Sequence, residues 1–134
     1  MSNKELVVNA ATELFINQDP TAIDRWFGPR YVQHSTVAAD GIEGLTAFAS
    51  NLPEGFGYEL VRVIADADLV ALHGIYTGLA PTPLVAFDLF RVADGRIVEH
   101  WDALTPQATQ TLSGRTQTDG PTTVTHPEQT DATR

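Results

Sequence analysis

The sequence predicts an α+β domain in which about three N-terminal helices pack on one face of an antiparallel sheet. Apolar residues recur at helical spacing up to residue 52, and from residue 58 onward they alternate with polar residues. The Asp94-Gly95 dipeptide between the last two alternating runs is a strong hairpin signal. Helices followed by hairpin-connected strands are typical of α+β domains, because each layer buries its apolar side against the other.

The first helix is predicted over residues 3–17. Ser2 and Glu5 have the spacing of a capping box, in which two side chains bind the free backbone amides at a helix start. Leu6, Ala10 and Leu14 belong to an apolar stripe with helical spacing. An amphipathic N-terminal helix is therefore expected.

Two shorter helices and an extended segment are predicted next. Asp19 is a candidate N-cap and Pro20 suits the first helical position, so a second helix should end near Gly28. Residues 30–34 are expected to be extended, and residues 43–52 to form a third helix.

Strands and a polar arm complete the chain. Alternating apolar residues predict four strands, over residues 58–66, 68–78, 84–93 and 96–104. Residues 107–134 are rich in Thr, Gln, Asp, Pro and Gly, and such a segment buries too little apolar surface to offset its ordering entropy. The chain is therefore divided into a domain of residues 1–106 and a polar arm of residues 107–134.

Composition excludes several classes of partner. The formal charge of −9 makes nucleic acid and anionic lipid unfavourable partners. The chain has no cysteine, so disulfides and thiolate sites are excluded. Its N-terminus lacks the pattern of a signal peptide, and no apolar run reaches the ~20 residues of a membrane span. A cytoplasmic protein is expected, with no membrane partner.

Ionisable residues lie on strand faces that are otherwise apolar. Alternation places His73 on such a face of one strand, Asp88 on the next, and His100 and Asp102 on the last. If these faces are on the same side of the sheet, the four side chains converge beneath the helices, with His34 at the rim. A β-bulge would change part of this assignment.

Regular alternation in the last strand also divides its other residues between two faces. It places Val98 with the inward residues and Ile97, Glu99 and Trp101 on the outer face. A Trp on an outer sheet face is typical of a protein interface.

Three segments carry a resemblance to a known family: YVQHS, DGIEGL and FDLFRVADGRIVEHWDAL. The chain resembles the SnoaL-like polyketide cyclases of the nuclear-transport-factor-2-like superfamily, over residues 3 to 106. Among these it is most similar to SnoaL-like proteins predicted to perform aldol condensation. The resemblance implies a cone-shaped α+β barrel, a curved sheet around a pocket closed by the helices. It also implies a homodimer through the outer sheet face.

The resemblance assigns the chemistry to inward side chains without a metal or cofactor. Members of the family use a carboxylate acid/base near the end of the last long strand, and Asp102 is its counterpart here. A histidine on an adjacent strand is also common, and His73 or Asp88 would fill that place. Ser35 stands where relatives tend to carry Asn.

The same residues suit proton abstraction next to a carbonyl group. That reaction needs a base of tuned pKa and a group that stabilises the enolate. Burial should raise the pKa of Asp102, Asp88 should raise it further, and a histidine should donate to the enolate or carry the proton. The predicted catalytic residues are Asp102, His100, His73, Asp88 and His34, and the residues predicted to contact an apolar carbonyl-containing small molecule are Tyr31, Trp26, Phe48 and Phe90.

Other interpretations remain open from the sequence. Inward histidines are often satisfied core residues, and Asp88 could anchor Arg62 or Arg91. The fold could also serve a non-catalytic binding or dimerisation module, or an epoxide hydrolase with an Asp–Arg–Asp relay. Three histidines and two aspartates resemble a metal-ligand set, but they lack the short spacing of an HExxH motif, and no metal is predicted.

Overall fold

The computed structural model describes residues 1–122. The last strand ends at Pro106, and the division into a domain of residues 1–106 and a polar arm stays a prediction. The polar arm is described as far as Thr122, and residues 123–134, including His126, lie outside the described residues. Within residues 1–122, no helix combines the length and the apolar character needed to cross a membrane.

Within the described residues, three α-helices precede or interrupt the strands: α1 over Asn3–Ala11, α2 over Ala22–Trp26 and α3 over Gly41–Ser50. The capping box at the start of α1 is confirmed: Ser2 Oγ accepts from Glu5 N at 3.0 Å, and Glu5 Oε1 accepts from Ser2 N at 2.8 Å. After α1 the chain continues as a π-helical turn over Thr12–Ile16, so the predicted first helix changes its hydrogen-bond pattern before its end.

The N-cap of α2 differs from the sequence prediction. Thr21, not Asp19, is the N-cap of this helix, and Pro20 lies before it. The Asp19 carboxylate instead accepts from the backbone N–H of Thr21 at 3.0 Å. The same carboxylate pairs with Arg25 near the end of the helix at 2.9 Å. Asp19 therefore contacts α2 from a position that precedes the N-cap.

Five strands form one sheet: β1 over Phe27–Gln33, β2 over Gly57–Asp66, β3 over Leu69–Thr77, β4 over Leu84–Ala93 and β5 over Arg96–Pro106. Their order is β1-β5-β4-β3-β2. The strands β2 to β5 are antiparallel as predicted, but β1 pairs with β5 in parallel, which corrects the expectation of a wholly antiparallel sheet. Hairpins force antiparallel neighbours, whereas β1 joins β5 across most of the chain and is free of that constraint.

A β-bulge at Val98 sets the faces of β5. Arg91 pairs with Glu99 and the next residue, Val92, pairs with Ile97, so Val98 is unpaired. The predicted placement of Val98 inward and Ile97 outward is therefore wrong: Ile97 is fully buried in the core. From Glu99 onward the predicted faces are restored.

The core lies between the helices and the inner face of the sheet. Val7 and Leu14 from the helical layer pack with Val70, Leu72 and Ile97 from the sheet, and all five are almost fully buried. The inner face also carries polar residues near one end of the core, and these form the candidate site.

Candidate active site

A pocket opens between the inner face of the sheet and the helical layer. Its enclosed part has a volume of about 30 Å³, and the whole depression including its mouth has about 450 Å³. The enclosed part holds only one or two water molecules, so a larger ligand would occupy the mouth or separate the walls. The apolar walls are formed by Phe15, Phe27, Leu45, Phe48, Leu79, Phe90 and Leu104, and the polar lining residues are Tyr31, Gln33, Ser35, Tyr76, Asp88, His100 and Asp102.

Asp88 is the most deeply buried polar residue of the pocket, with 2% of its surface exposed. Its Oδ1 lies 2.7 Å from Nε2 of His100, and its Oδ2 accepts from the Tyr76 hydroxyl at 2.9 Å. Register explains these contacts, because Asp88 pairs with Asp102 and His100 is two residues away on the same face of β5. A buried carboxylate with both oxygens bonded is well satisfied.

His100 is held from both sides of its ring. Opposite Asp88, its Nδ1 lies 2.6 Å from Oε1 of Gln33 on β1. The ring stacks on Phe90 with a centroid distance of 4.6 Å. The parallel pairing of β1 with β5, which places Gln33 beside His100, creates this contact.

Asp102 is the half-buried carboxylate of the pocket. Its desolvation raises the pKa, and the neighbouring Asp88 acts in the same direction. A hydrogen bond from Ser35 and the charge of His100 act against this rise. No ion pair involves Asp102 among the salt bridges of residues 1–122. It therefore has the features of a base: access to the pocket, a raised pKa and no bound cation.

Two tyrosines beside Asp88 were not singled out by sequence reasoning. Tyr58 and Tyr76 face each other across β2 and β3, with ring centroids 4.6 Å apart. Burial raises the pKa of both phenols, so both remain protonated donors. The Tyr58 hydroxyl is buried without a hydrogen-bond partner within the described chain.

The glycine beside these tyrosines gives them room. A Cβ at Gly74 would lie 2.6 Å from both the Tyr58 hydroxyl and the Glu59 carbonyl oxygen. Alternation along β3 puts Tyr76 on the side opposite His73, and only the pairing of Tyr58 with Tyr76 shows that the two tyrosines share the inner face.

Gln33 and Ser35 are also pocket residues that sequence reasoning did not place there. Together with Tyr31 they occupy alternate positions along the YVQHS segment. That alternation was available in the sequence, and it also directs His34 to the opposite side.

His73 does not join the inner cluster, although alternation predicted that it could. It pairs with Phe87, whereas Asp88 pairs with Leu72, so His73 and Asp88 lie on opposite faces. His73 stacks on Phe87 with centroids 4.2 Å apart and its Nδ1 accepts from Arg62 at 2.7 Å. The physical reason is register: a one-residue offset between neighbouring strands places the side chain on the other side of the sheet.

His34 also lies away from the pocket. Its ring stacks on Trp101 with centroids 5.1 Å apart, and its Nε2 lies 2.8 Å from Glu99 Oε2. The other Glu99 oxygen accepts from Arg91 at 2.9 Å. These residues form the cluster at one edge of the outer face, which agrees with the outward placement expected for Glu99 and Trp101.

Of the four residues predicted to contact a substrate, three lie in the pocket and one does not. Tyr31, Phe48 and Phe90 line the pocket, whereas Trp26 does not. The Trp26 indole Nε1 donates to Glu13 at 2.8 Å, which ties α2 to the π-helical turn that follows α1. Trp26 therefore has a structural contact in place of the predicted pocket contact.

The inner cluster also resembles a metal-ligand set. Donor atoms of Asp88, His100 and Asp102 lie within 4.8 Å of one another. Both ring nitrogens of His100 and both oxygens of Asp88 already bond to protein atoms, so a metal ion would have to displace these contacts.

Comparison with known proteins gives one family. The model of the SnoaL-like domain matches residues 8–100, which is more than half of the chain. No curated protein sequence matches the chain.

Several solved structures share the fold. IdmH from Streptomyces antibioticus, a proposed polyketide cyclase, is 22% identical, covers 78% of this chain and 92% of its own, and has a TM-score of 0.62. An NTF2-like protein of unknown function from Cytophaga hutchinsonii is 13% identical over 79% of this chain and 92% of its own, with a TM-score of 0.68. TsrD from Streptomyces laurentii is 20% identical, covers 75% of this chain and 85% of its own, and has a TM-score of 0.59. These similarities confirm the predicted cone-like α+β fold.

Proposed function

Because the chain belongs to the SnoaL-like domain family, we propose that it is a small enzyme that performs acid–base chemistry on an apolar, carbonyl-containing small molecule. The reaction would be an enolate-type cyclisation, aldol reaction or isomerisation, and it would need no cofactor. The IdmH likeness supports the substrate class by analogy alone.

One observation supports this proposal most strongly: the two inward carboxylates have different environments. Asp88 is buried and bonded to His100 and Tyr76, whereas Asp102 faces the pocket without an ion pair in the described chain and has a raised pKa. Neighbouring titratable groups that are placed in different environments are typical of acid–base sites. Asp102 is therefore the proposed base, and Asp88 holds His100.

The proposed reaction begins with proton transfer from carbon to oxygen. The Asp102 carboxylate removes a proton from the carbon next to the carbonyl, and the electron pair of the C–H bond forms the enolate. The negative charge that develops lies near the proton-bearing ring of His100, which stabilises it electrostatically. Phe90 and Phe48 exclude water from the enolate and so strengthen this interaction.

The second half of the reaction regenerates Asp102. In an aldol or cyclase reaction, the enolate carbon attacks a second carbonyl carbon and a carbon–carbon bond forms. The resulting alkoxide takes the proton from the Asp102 carboxylic acid. In an isomerisation, the same proton returns to a different carbon of the enolate, so in both cases the protons balance.

Hydrogen exchange at carbon tests the proposed proton transfer. Small apolar ketones and 1,3-diketones would be incubated with the protein in D₂O, and deuterium uptake at the carbon next to the carbonyl would be followed by NMR. We expect catalysed uptake that falls by roughly 10²- to 10⁴-fold in Asp102→Asn. The matched control is Glu99→Gln on the outer face, which should retain the wild-type rate. Uptake that survives Asp102→Asn would contradict Asp102 as the base.

Two alternatives have different support. An epoxide hydrolase relay is disfavoured, because no arginine lines the pocket within residues 1–122, and Arg62 and Arg91 contact His73 and Glu99 on the outer face. In a non-catalytic binding module, both inward carboxylates should be paired with other side chains. Asp88 meets this expectation through its pair with His100, whereas Asp102 has no ion pair within residues 1–122. Tight ligand binding without any deuterium uptake would favour that module.

A further inference from the structure

The Gln33 side chain makes three polar contacts at the wall of the pocket. Its Oε1 lies 2.6 Å from Nδ1 of His100 and accepts from the backbone N–H of Ser35 at 3.1 Å. Its Nε2 donates to the Tyr31 hydroxyl at 3.2 Å. An amide with both of its polar atoms bonded in this way has little freedom to rotate.

The Ser35 contact determines which way the amide points. A backbone N–H can only donate, so the Gln33 atom that faces it must be the oxygen. A rotation of the amide by half a turn would place an NH₂ group against this N–H. It would also lose the donor to Tyr31. The oxygen is therefore the atom that faces His100.

An amide oxygen beside Nδ1 has a direct consequence for the histidine. Since the oxygen accepts and cannot donate, Nδ1 of His100 must carry the hydrogen. The other nitrogen, Nε2, faces Asp88 at 2.7 Å. One proton lies between Nε2 and Oδ1 of Asp88, bound either to the ring or to the carboxyl group. The other oxygen of Asp88 already accepts from the Tyr76 hydroxyl.

We propose that Gln33 is a positioning residue that keeps Nδ1 of His100 protonated, so that Asp102, and not His100, acts as the base. Without Gln33, a neutral His100 could place its hydrogen on Nε2 toward Asp88 and leave Nδ1 with a free lone pair. Because His100 lines the pocket, a bare Nδ1 would be a second base that competes with Asp102 for the proton. The catalytic part of this inference depends on the proposed function, whereas the protonation part does not.

All groups that face His100 are consistent with this role. Asp88 and Phe90 approach the ring from β4, Gln33 approaches it from β1, and Asp102 lies two residues along β5. Gln33 is neutral, and it decides only the side on which a neutral ring keeps its hydrogen. The selection of one tautomer by the partner of the other nitrogen is a general property of histidine.

Nitrogen NMR of the full-length protein tests the protonation directly. Proton–nitrogen correlation spectra distinguish protonated from bare ring nitrogens, and His100→Gln identifies the signals of His100. In the wild type we expect Nδ1 to carry a hydrogen when the ring is neutral, because it faces the Gln33 oxygen. A bare Nδ1 in the wild type would overturn the proposal.

Two substitutions at position 33 separate the hydrogen bond from the volume of the side chain. Gln33→Met keeps the length but has no amide oxygen, so we expect a population with bare Nδ1 at high pH. Gln33→Glu keeps an acceptor toward both His100 and Ser35, so Nδ1 should remain protonated. An unchanged Nδ1 in a folded Gln33→Met protein would overturn the proposal. The control is Val32→Ala, at an exposed neighbouring position, which should match the wild type.

The pH profile of deuterium uptake gives the catalytic readout. If Gln33 positions His100, Gln33→Met should move the acidic limb of the profile, while Val32→Ala keeps the limb of the wild type. A purely structural role would lower the rate equally at every pH, and that result would overturn the catalytic part. If Gln33→Met leaves the pH profile unchanged while the NMR result holds, the catalytic part fails and the protonation role of Gln33 stands. If the wild type catalyses no deuterium uptake, it is the proposed function that fails.

Discussion

Asp102 is a residue whose chemistry costs stability. Its folded-state pKa is raised above the unfolded value, so the folded protein binds this proton more tightly than the unfolded chain. The contribution of Asp102 to stability is therefore full at low pH and is lost as the pH rises through the folded-state pKa. At neutral pH the charged, half-buried carboxylate opposes folding.

Removal of this charge should stabilise the protein at neutral pH. We expect Asp102→Asn to have a higher free energy of unfolding than the wild type at pH 7 in urea titrations. The difference should shrink as the pH approaches ~3.9, where an ordinary aspartate becomes protonated. Glu99→Gln should show the opposite sign at pH 7, because its partners His34 and Arg91 lower the pKa of Glu99. A less stable Asp102→Asn at pH 7 would contradict the burial of an unpaired charge.

His73 also makes the stability of the protein depend on pH, but its contribution increases with pH, whereas that of Asp102 decreases. Desolvation, and then the charge of Arg62, lower its pKa, so the folded state favours the neutral ring. Its contribution is present above the ordinary value of ~6.5 and is lost as the pH falls through the folded-state pKa. We expect the free energy of unfolding to fall between pH ~7.5 and ~5.5. His73→Gln should flatten this part of the curve in urea titrations.

At the scale of elements, the bulge in β5 allows one strand to serve the core and the site. Ile97 must face inward for the core, and His100 and Asp102 must face inward for the site, but these positions have opposite parity. Val98 is the extra residue that reconciles them. Without it, either Ile97 or the pair of site residues would face solvent.

Deletion of Val98 tests this interpretation. We expect the deletion to destabilise the protein by more than about 4 kcal/mol, because the core or the polar network must turn outward. Val98→Ala keeps the register and should cost only about 1 kcal/mol. Urea unfolding followed by near-UV circular dichroism measures both. A stable deletion variant with native aromatic signals would contradict the proposed role of the bulge.

The whole molecule leaves part of its outer sheet face uncovered. Ile64 and Phe87 on this face are 66% and 57% exposed. Part of the arm contacts the same face, where Arg62 donates to the carbonyl oxygens of Thr118 and Pro121 at 3.0 and 2.9 Å. The homodimer through the outer face stays a prediction, and these exposed side chains are the observation that favours a second copy as the partner.

A charge on the outer face should separate the two copies. We expect Phe87→Glu to convert a dimer to a monomer in analytical ultracentrifugation, since the charge would be desolvated in the interface. The control is Leu112→Glu, a fully exposed apolar position in the arm, which should leave the mass unchanged. A wild-type protein that is monomeric at high concentration would contradict the prediction.

Much of the architecture could be predicted because it depends on local pattern. The capping box at Ser2, the hairpin at Asp94-Gly95 and the alternation along β2 to β5 are properties of neighbouring residues. The inward placement of Asp88, His100 and Asp102 followed from that alternation and from the family resemblance.

Other features depend on contacts between distant residues and were decided by the tertiary structure. The register of β3 against β4 put His73 on the outer face, the bulge at Val98 exchanged the faces of its neighbours, and the parallel pairing of β1 brought Gln33 to His100. Alternation determines which residues of one strand share a side, because side chains alternate with a period of two. It does not determine which side of the next strand they meet, because that depends on hydrogen-bond register between segments far apart in the chain.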